Sequence, residues 1–175
     1  MITYQILNPE QVNKLTEIDR SEHIDLTYEM KDGKIMELNS NHECPTWTED
    51  MMKEIQERYL HELHNGGLAI GAFDGGTLVA FGVLAHRFRG LNNNRLQIDL
   101  MYVDRKYRRQ GIGTRIFNML GDEARGRGAE YLYISSTETK SAVSFYRSNG
   151  SQITKDIDEE LFNKEPKDIH MIVKL

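Results

Sequence analysis

Apolar residues recur at helical spacing in the second half of the chain, directly after a strand-like run. Four of them are each four positions apart: Ile112, Ile116, Leu120 and Ala124. This spacing places them on one face of a helix. The preceding residues, 96–103, are rich in apolar and β-branched side chains, which favours a strand. Between the two lies the loop RRQGIGT, residues 108–114. The pattern therefore predicts a strand, a glycine-containing loop and a helix in succession.

The pattern before residue 68 is mainly helical. Residues 2–7 alternate as a strand, and Asn8 followed by Pro9 favours the start of a helix that runs to about residue 20. We interpret residues 21–30 as a short helix or an ordered loop, and Asp32-Gly33 as the turn of a brief hairpin. Residues 39–45 are interpreted as a polar loop.

A long helix is predicted from Thr46 to the stop signal Asn65-Gly66-Gly67, with Thr46 or Thr48 as its cap. Its predicted inward face contains Met51 or Met52, Ile55, Tyr59 and Leu63. Two strands follow it, joined by the turn at residues 74–76, and residues 90–94 form a second turn before the strand at residues 96–103. Three antiparallel strands thus precede the glycine-containing loop.

The last third of the chain continues as alternating strands and helices. Residues 129–136 form a β-prone strand that follows a helix, so we expect it to run parallel to the strand before that helix. A short helix is predicted over residues 140–149, then a strand at 152–155, an acidic loop through residue 166 and a final strand. The expected fold is one α/β sheet, antiparallel in its first half, with helices on both faces.

Length and composition are those of a soluble globular chain. With 175 residues, 39% hydrophobic and 28% charged, residues 1–175 are expected to form one domain. We find no apolar run near the roughly 20 residues that span a bilayer and no secretory signal, so we expect no membrane association and a cytoplasmic location. The single cysteine, Cys44, excludes an internal disulfide and cysteine-based zinc sites. His23, His86 and His170 do not have metal-ligand spacing, so no metal is expected.

The net charge of the chain and the distribution of its basic residues indicate which class of ligand it binds. The formal net charge of −5 argues against nucleic acid as a partner. Within eleven residues, however, five basic side chains cluster: Arg105, Lys106, Arg108, Arg109 and Arg115. A local basic cluster in an acidic chain suits a small polyanion. Arg105 and Lys106 are equally compatible with a solvated helix start.

The loop itself favours a phosphate. At a helix start, unpaired backbone N–H groups and the positive end of the dipole face outwards, and Gly111 and Gly113 let a ligand approach the backbone. A dinucleotide fingerprint would need a small residue at position 116, which is Ile116, and the Lys of a P-loop is missing. The alternative is a tight turn whose glycines serve packing.

What the stretch does contain is R-x-x-G-x-G, Arg108 to Gly113, after a strand that ends Leu-Met-Tyr-Val. This order resembles the acetyl-coenzyme A signature of the GCN5-related N-acetyltransferases, the GNAT superfamily. The resemblance implies that the loop holds the pyrophosphate and that the preceding strand pairs with the pantetheine arm. It also implies a GNAT-like mixed sheet with a parallel pair around the loop. The cofactor-binding residues it implies are Met101, Tyr102, Val103, Arg108, Arg109, Gln110, Gly111, Ile112, Gly113, Thr114, Thr139 and Tyr146.

A second family pattern, roughly Asn-x-x-Ala-x-x-x-Tyr-x-x-x-Gly-Phe, occurs with two departures. The chain has Ala142, Tyr146 and Gly150 in register, but Thr139 replaces the asparagine and Ser151 the closing aromatic. Together the two patterns cover about residues 68–151. By resemblance, Tyr146 lies near the coenzyme sulfur and protonates the departing thiolate. The alternative for Tyr146 is a core aromatic on an amphipathic helix.

The sequence gives weaker evidence for the general base than for Tyr146. Asp99 lies four residues before Val103, so we expect it to share a face with Met101 and Val103. An acid among apolar residues is paired or functional, because an unpaired buried charge is costly. Asp99 is therefore a candidate base or amine-orienting group, with a structural carboxylate as the alternative. Gln97 stands where some relatives carry a glutamate.

The resulting hypothesis is direct acetyl transfer from acetyl-coenzyme A to a primary amine of a small molecule or peptide. A backbone N–H at Met101 or Val103 is expected to stabilise the oxyanion. An acidic group, Asp19, Glu22, Asp25 and Glu29, would favour a cationic amine, unless these are solvated helix faces. Two alternatives stay open: a non-catalytic coenzyme A-binding sensor or interaction module, and a structural domain without a ligand. A homodimer is also left open.

Overall fold

The structure, a computed structural model, describes residues 1–175 as nine strands and four α-helices. The strands are β1 (Ile2–Leu7), β2 (Glu22–Lys31), β3 (Lys34–Cys44), β4 (Leu68–Asp74), β5 (Thr77–Leu84), β6 (Arg95–Val103), β7 (Tyr131–Ser136), β8 (Gln152–Ile153) and β9 (Ile169–Lys174). The helices are α1 (Glu49–His64), α2 (Ile112–Gly126), α3 (Lys140–Ser148) and α4 (Glu159–Lys164), with 3₁₀ helices at Pro9–Glu17 and Arg105–Tyr107.

Seven strands form the main sheet, in the order β1-β4-β5-β6-β7-β9-β8. Strands β1, β4, β5 and β6 pair antiparallel, which confirms the expected antiparallel first half. Strands β6 and β7 pair in parallel, but only over residues 95–97 and 131–133. Beyond that point the two strands separate. The expected α/β fold with a parallel pair beside the glycine-containing loop is confirmed.

Each face of the sheet carries its own apolar core. On one face α2 packs through Ile116 and Leu120, both fully buried, against a cluster that includes Leu96 and Ile134. On the other face α1 and the first 3₁₀ helix pack against a second cluster that contains Leu15, Tyr59, Phe81 and Leu100. Burial of apolar side chains on both sheet faces stabilises the fold.

Residues 21–45 differ from the sequence prediction. They form a long hairpin of β2 and β3, a separate two-stranded sheet, rather than a short helix followed by a loop. The hairpin turn at Asp32-Gly33 was predicted correctly, and both residues have positive φ (51° and 76°). Apolar residues alternate with polar ones along β2, with Ile24, Leu26 and Tyr28 two apart, which is the period of a strand.

Two other regions differ in detail. Residues 9–17 form a 3₁₀ helix that begins, as predicted, with Asn8 as the cap and Pro9 in the first turn. The acidic loop before the last strand contains a short helix, α4, whose cap is the Asp158 side chain. Helix α1 is capped by Thr48, which accepts a hydrogen bond from the Met51 N–H. None of the helices has both the length and the apolar character needed to cross a bilayer.

Candidate active site at the separation of two parallel strands

The loop between β6 and α2 has the backbone shape that its glycine requires. Gly111 caps α2 with φ of 80°, and Arg109 also has a positive φ of 61°. A side chain at position 111 would meet no atom within 4 Å, so the loop is open on that side. The left-handed conformation is the reason for glycine here, because other residues adopt it at a cost.

Seven consecutive backbone N–H groups in this loop, from Arg108 to Thr114, have no acceptor in the protein. The first amide that bonds within the helix is that of Arg115, which donates to the Gly111 carbonyl at 3.0 Å. These donors lie at the positive end of the α2 dipole, where an anion is stabilised. The loop therefore offers an extended set of donors for a phosphate-containing ligand.

The two glycines have different roles. A Cβ at position 113 would lie 3.0 Å from the Phe145 ring and 3.3 Å from Val103 Cγ2, so Gly113 permits α2 to pack closely against α3 and β6. The packing alternative is thus correct for Gly113. Ile112 points into the core and is 3% exposed, so its side chain contributes to packing. Thr114, one residue further on, is half-buried at the helix start.

The Arg108 guanidinium is engaged by the protein itself. Its Nε donates to the Val103 carbonyl at 3.0 Å, and its terminal nitrogens donate to the carbonyls of Ser21 and Arg20 at 3.1 and 2.9 Å. Arg108 therefore ties the loop to the segment that enters β2. Arg109 is exposed and has no acidic partner, which leaves its charge available to a ligand. Gln110 donates to the Lys106 carbonyl at 3.2 Å.

Beyond residues 97 and 133 the separation of β6 and β7 leaves a gap between the two strands. Strand β6 presents unpaired backbone donors towards this gap. The Asp104 N–H donates to the Val79 carbonyl on β5 at 2.8 Å, and Tyr102 lies opposite Phe81 in the same register. Because bonding alternates along an antiparallel strand, the N–H groups of Met101 and Val103 point away from β5. They face the side where β7 has already separated from β6.

The sequence predicted that Asp99 would share a face of β6 with Met101 and Val103. In the structure it does not. A β-bulge between the pairs Val83–Leu100 and Leu84–Ile98 shifts the alternation by one residue. The Asp99 side chain is 8% exposed, and its Oδ1 accepts from Arg58 of helix α1 at 2.9 Å. Arg58 also donates to the Asp99 carbonyl at 2.9 Å. Asp99 therefore fixes Arg58 beside the gap.

Tyr102, on the same side of β6 as Leu100, forms the apolar wall of the gap. Its ring is 4.8 Å from that of Trp47 and 5.8 Å from that of Phe81. Burial raises the pKa of the Tyr102 hydroxyl above its ordinary value. Tyr102 is therefore neutral at physiological pH and lines the gap as an aromatic surface.

Tyr146 lies on α3 and is 8% exposed, with its ring 6.0 Å from Phe117 and 5.1 Å from Phe145. Its hydroxyl forms no hydrogen bond within the protein, and burial raises its pKa well above the ordinary value. Thr139 caps α3 by accepting from the Ala142 N–H at 3.3 Å, and it also forms a bridge to Thr27 of β2. Thr139, which is 7% exposed, therefore caps α3.

One titratable residue near the gap, Asp168, was not predicted from the sequence. Asp168 lies just before β9, and its Oδ2 accepts from Ser135 of β7 at 2.8 Å. Burial raises the pKa of this carboxyl to about 7, although the Ser135 hydrogen bond acts in the opposite direction. In the sequence Asp168 is one acid in a charged loop, and no spacing relates it to Tyr146 or to β6. Only the pairing of β7 with β9 brings it there.

The acidic group expected to select a cationic acceptor does not form one wall. Because residues 22–31 are a strand, Glu22 lies on the face opposite Asp25 and Glu29, and it accepts from Ser141 at 2.8 Å. Asp19 accepts from the Ser21 N–H at 2.9 Å, and this bonding lowers its pKa.

Away from this gap, one cluster has the residue types of a metal site, although no metal was expected from the sequence. Donor atoms of His61, Glu62 and His86 all lie within 4.8 Å of one another. Glu62 Oε2 accepts from the His86 backbone N–H at 2.8 Å and lies 2.6 Å from His86 Nδ1. The carboxylate therefore already joins the end of α1 to the residues after β5.

Comparisons with known proteins agree with this geometry. The model of the acetyltransferase (GNAT) family matches residues 33–150, more than half of the chain. The fold is similar to that of a putative streptothricin acetyltransferase from Bacillus anthracis str. Ames, in complex with acetyl coenzyme A. Their TM-score is 0.75 at 17% identity, over 100% of this chain and 99% of that one.

A nourseothricin acetyltransferase is similar in the same way, with a TM-score of 0.74 at 18% identity over 99% and 98% of the two chains. A PaiA N-acetyltransferase from Thermoplasma acidophilum, in complex with coenzyme A, has a TM-score of 0.65 at 19% identity over 100% and 99%. The search of curated proteins returned no match. At these identities the likeness is one of fold, whereas the family match is one of sequence: this chain belongs to the acetyltransferase (GNAT) family.

Proposed function

We propose that residues 1–175 form one N-acetyltransferase domain, which moves an acetyl group from acetyl-coenzyme A to a primary amine by direct transfer. The observation that carries this proposal is the run of seven unpaired N–H groups from Arg108 to Thr114, placed beside the gap between β6 and β7. Such a donor set suits a diphosphate, and the gap beside it is bordered by backbone donors of β6.

The loop would bind the coenzyme mainly through its backbone. The amides of Arg109, Gln110 and Gly111 to Thr114 would hold the diphosphate, with the exposed Arg109 guanidinium adding charge. The Arg108 side chain would keep the loop in shape. Acetyl-coenzyme A supplies the acetyl group as a thioester. Along β6, Met101 and Val103 would pair with its amide-containing arm, with Tyr102 lining the opposite side of the strand.

The chain's own groups would then stabilise charge and move protons. A backbone N–H of Met101 or Val103 would donate to the oxygen that becomes negative during transfer. Tyr146, with its raised pKa and its unbonded hydroxyl, is protonated at neutral pH and would donate its proton to the leaving sulfur. Asp99 would act as an orienting group through Arg58 rather than as an isolated acid.

The acceptor would approach from the α1 side of the sheet. The charges that act on the groups there include the carboxylates of Asp99, Asp168, Glu138 and Glu165, which outnumber the guanidinium groups of Arg58 and Arg20. This balance favours a cationic amine, such as a small-molecule alkylammonium or a lysine side chain of a peptide. The names of two fold neighbours, acetyltransferases of nourseothricin and streptothricin, add such compounds to the acceptors worth testing.

The test is release of free coenzyme A thiol from acetyl-coenzyme A in the presence of a panel of amines: polyamines, nourseothricin, aminoglycosides and lysine-containing peptides. We expect at least one amine to raise the rate well above the hydrolysis background, and mass spectrometry to find the N-acetyl product. Binding of coenzyme A without transfer to any amine in the panel would favour the non-catalytic sensor instead.

A further inference from the structure

The Asp168 carboxyl is half-buried and has one oxygen committed to the protein. Oδ2 accepts from the Ser135 hydroxyl at 2.8 Å, whereas Oδ1 forms no hydrogen bond within the protein. The Asp168 backbone is fixed as well, because its N–H donates to the Glu165 carbonyl at 3.1 Å and the next residue begins β9. This carboxylate therefore has a defined position and a free oxygen.

Asp168 lies on the face of the sheet from which we propose that the acceptor approaches. Along β7, Leu132 and Ile134 belong to the core under α2, so Ser135 points to the opposite face, the one covered by α1. Asp168 bonds to Ser135 and so lies on this α1 face. Arg58 of helix α1 is close enough to act on the charge of Asp168, and Asp168 acts in turn on the hydroxyl of Tyr146.

The carboxylates around the gap are not equivalent. Asp99 receives two hydrogen bonds from Arg58, one of them to its side chain, and therefore keeps its charge paired. Asp168 has only a neutral hydroxyl as its direct partner. A carboxylate without a paired cation is the better proton acceptor. We propose that Asp168 is the general base that takes the proton from the acceptor ammonium, a role that rests on the function proposed above.

Several charged and titratable groups set the protonation of Asp168. Burial raises its pKa to about 7, and the negative charges of Glu165 and Glu138 act in the same direction, whereas the Ser135 hydrogen bond and Arg58 lower it. Tyr102 and Tyr146 face it as neutral phenols. A base with a pKa near the working pH is ionised in half of the molecules and still binds a proton strongly.

The proton balance of the step is complete with two residues. One ammonium proton passes to Asp168 Oδ1, which leaves a neutral amine whose lone pair forms the new N–C bond. The electron pair of the broken C–S bond leaves on sulfur, which receives the Tyr146 hydroxyl proton. After the N–C bond has formed, the nitrogen still carries one proton more than the amide product, and this second proton passes to the Tyr146 phenolate and restores its hydroxyl. Asp168 releases the first proton to solvent, so one proton is released for each amide formed.

The first experiment compares the pH dependence of kcat/KM for the wild type, Asp168→Asn and Ser135→Ala, with the best amine from the panel. For the wild type we expect a rise with an inflection near pH 7. Asp168→Asn should lose about 100-fold at neutral pH, and the loss should shrink as the pH approaches the pKa of the amine itself. Ser135→Ala should keep its plateau and move the inflection to higher pH.

A matched control is Asp122→Asn, which removes an exposed carboxyl on α2 that pairs with Arg125, and which should leave the profile unchanged. Coenzyme A affinity should stay within twofold in all variants. If Asp168→Asn keeps wild-type kcat/KM at neutral pH, Asp168 is not the base, while transfer by the wild type still supports the proposed function. If Asp168→Asn does not fold, an unshifted inflection in Ser135→Ala overturns the proposal.

A second readout needs no ligand. The folded carboxyl holds its proton up to a pH of about 7, whereas the unfolded one loses it near pH 4. Between these values the folded state binds more protons, so wild-type stability falls as the pH rises. Asp168→Asn lacks this penalty and should gain melting temperature over the wild type at pH 8 but not at pH 4. An equal difference at both values would contradict the raised pKa. If the wild type acetylates no amine at all, the proposed function fails, and the base assignment fails with it.

Discussion

At the scale of single residues, the ring and the hydroxyl of Tyr146 have different environments. Its ring packs against Phe117 and Phe145, while its hydroxyl has no bond within the protein. Replacing a hydroxyl that makes no hydrogen bond should leave stability nearly unchanged. The core-aromatic interpretation and the catalytic one are therefore both compatible with this position, and a substitution that removes only the oxygen distinguishes them.

We expect Tyr146→Phe to lower kcat at saturating acetyl-coenzyme A by about 100-fold, because the leaving sulfur loses its proton donor. The melting temperature should change little. Steady-state kinetics at several pH values measure the effect, with Tyr131→Phe, at the start of β7, as the control. Unchanged turnover at every pH would assign Tyr146 to the core alone.

At the same scale, the two loop arginines are neighbours in sequence but differ in environment. Arg108 donates three hydrogen bonds to backbone carbonyls, and Arg109 is exposed without a partner. We expect Arg108→Gln to lower the free energy of unfolding by about 2 kcal/mol, because three half-buried backbone carbonyls lose their charged donor. Arg109→Gln should leave it unchanged.

Coenzyme A affinity, unlike stability, should depend on the Arg109 side chain. Arg109→Gln should weaken binding several-fold, by loss of one charged contact in a partly solvated site, and more so at low salt. Denaturant unfolding and calorimetric titration, run on both variants, separate the two roles. If Arg109→Gln destabilised the fold as much as Arg108→Gln, the division would be wrong.

At the scale of elements, the start of α2 is held against α3 and β6 by the absence of a side chain at position 113. A Cβ there would lie 3.0 Å from the Phe145 ring. We expect Gly113→Ala to cost about 1–3 kcal/mol of stability through overpacking. At Gly111 the space is open, and alanine should cost about 1 kcal/mol through its positive φ alone. Thermal and denaturant unfolding would show a larger loss for Gly113→Ala; the reverse order would contradict the packing role.

The hairpin of β2 and β3 shows how an element depends on distant partners. Its β2 strand is attached to the start of α3 by the Tyr28 N–H, which donates to the Glu138 carbonyl at 2.7 Å, and by the bridge between Thr27 and Thr139. The Arg108 side chain adds a third tie at residues 20 and 21. The hairpin is therefore joined to the same loop and helix that border the gap.

At the scale of the whole molecule, ligand binding should raise the stability of the fold. The donor set of the loop exists only when β6, α2 and the 3₁₀ turn are in place, so coenzyme A binds the folded state alone. At a concentration 100 times its Kd it should add about 2.7 kcal/mol to the free energy of unfolding. A thermal shift measures this, with adenosine as the control that lacks the diphosphate. No shift at millimolar coenzyme A would favour a structural domain without this ligand.

Local sequence patterns were sufficient to predict the central part of the fold. The helical spacing from Ile112 to Ala124, the strand before it and the glycine stop after α1 are local signals, and the structure contains each of them. The parallel pairing of β6 with β7 followed from the intervening helix. Local patterns also located the loop whose amides are unpaired, because helix starts leave such donors in any fold.

The partners of Asp99, the form of residues 21–45 and the place of Asp168 depend on contacts between distant segments. A β-bulge in β6 turns Asp99 towards Arg58. The position of a bulge cannot be predicted from the alternation of apolar and polar residues in the sequence. Residues 21–45 became a hairpin because β2 found partners in β3 and in residues 138 and 139. Asp168 reached the gap through pairing of β7 with β9, which are far apart along the chain. Local patterns record which face of an element is apolar, whereas the neighbours of a polar side chain depend on how distant segments pack.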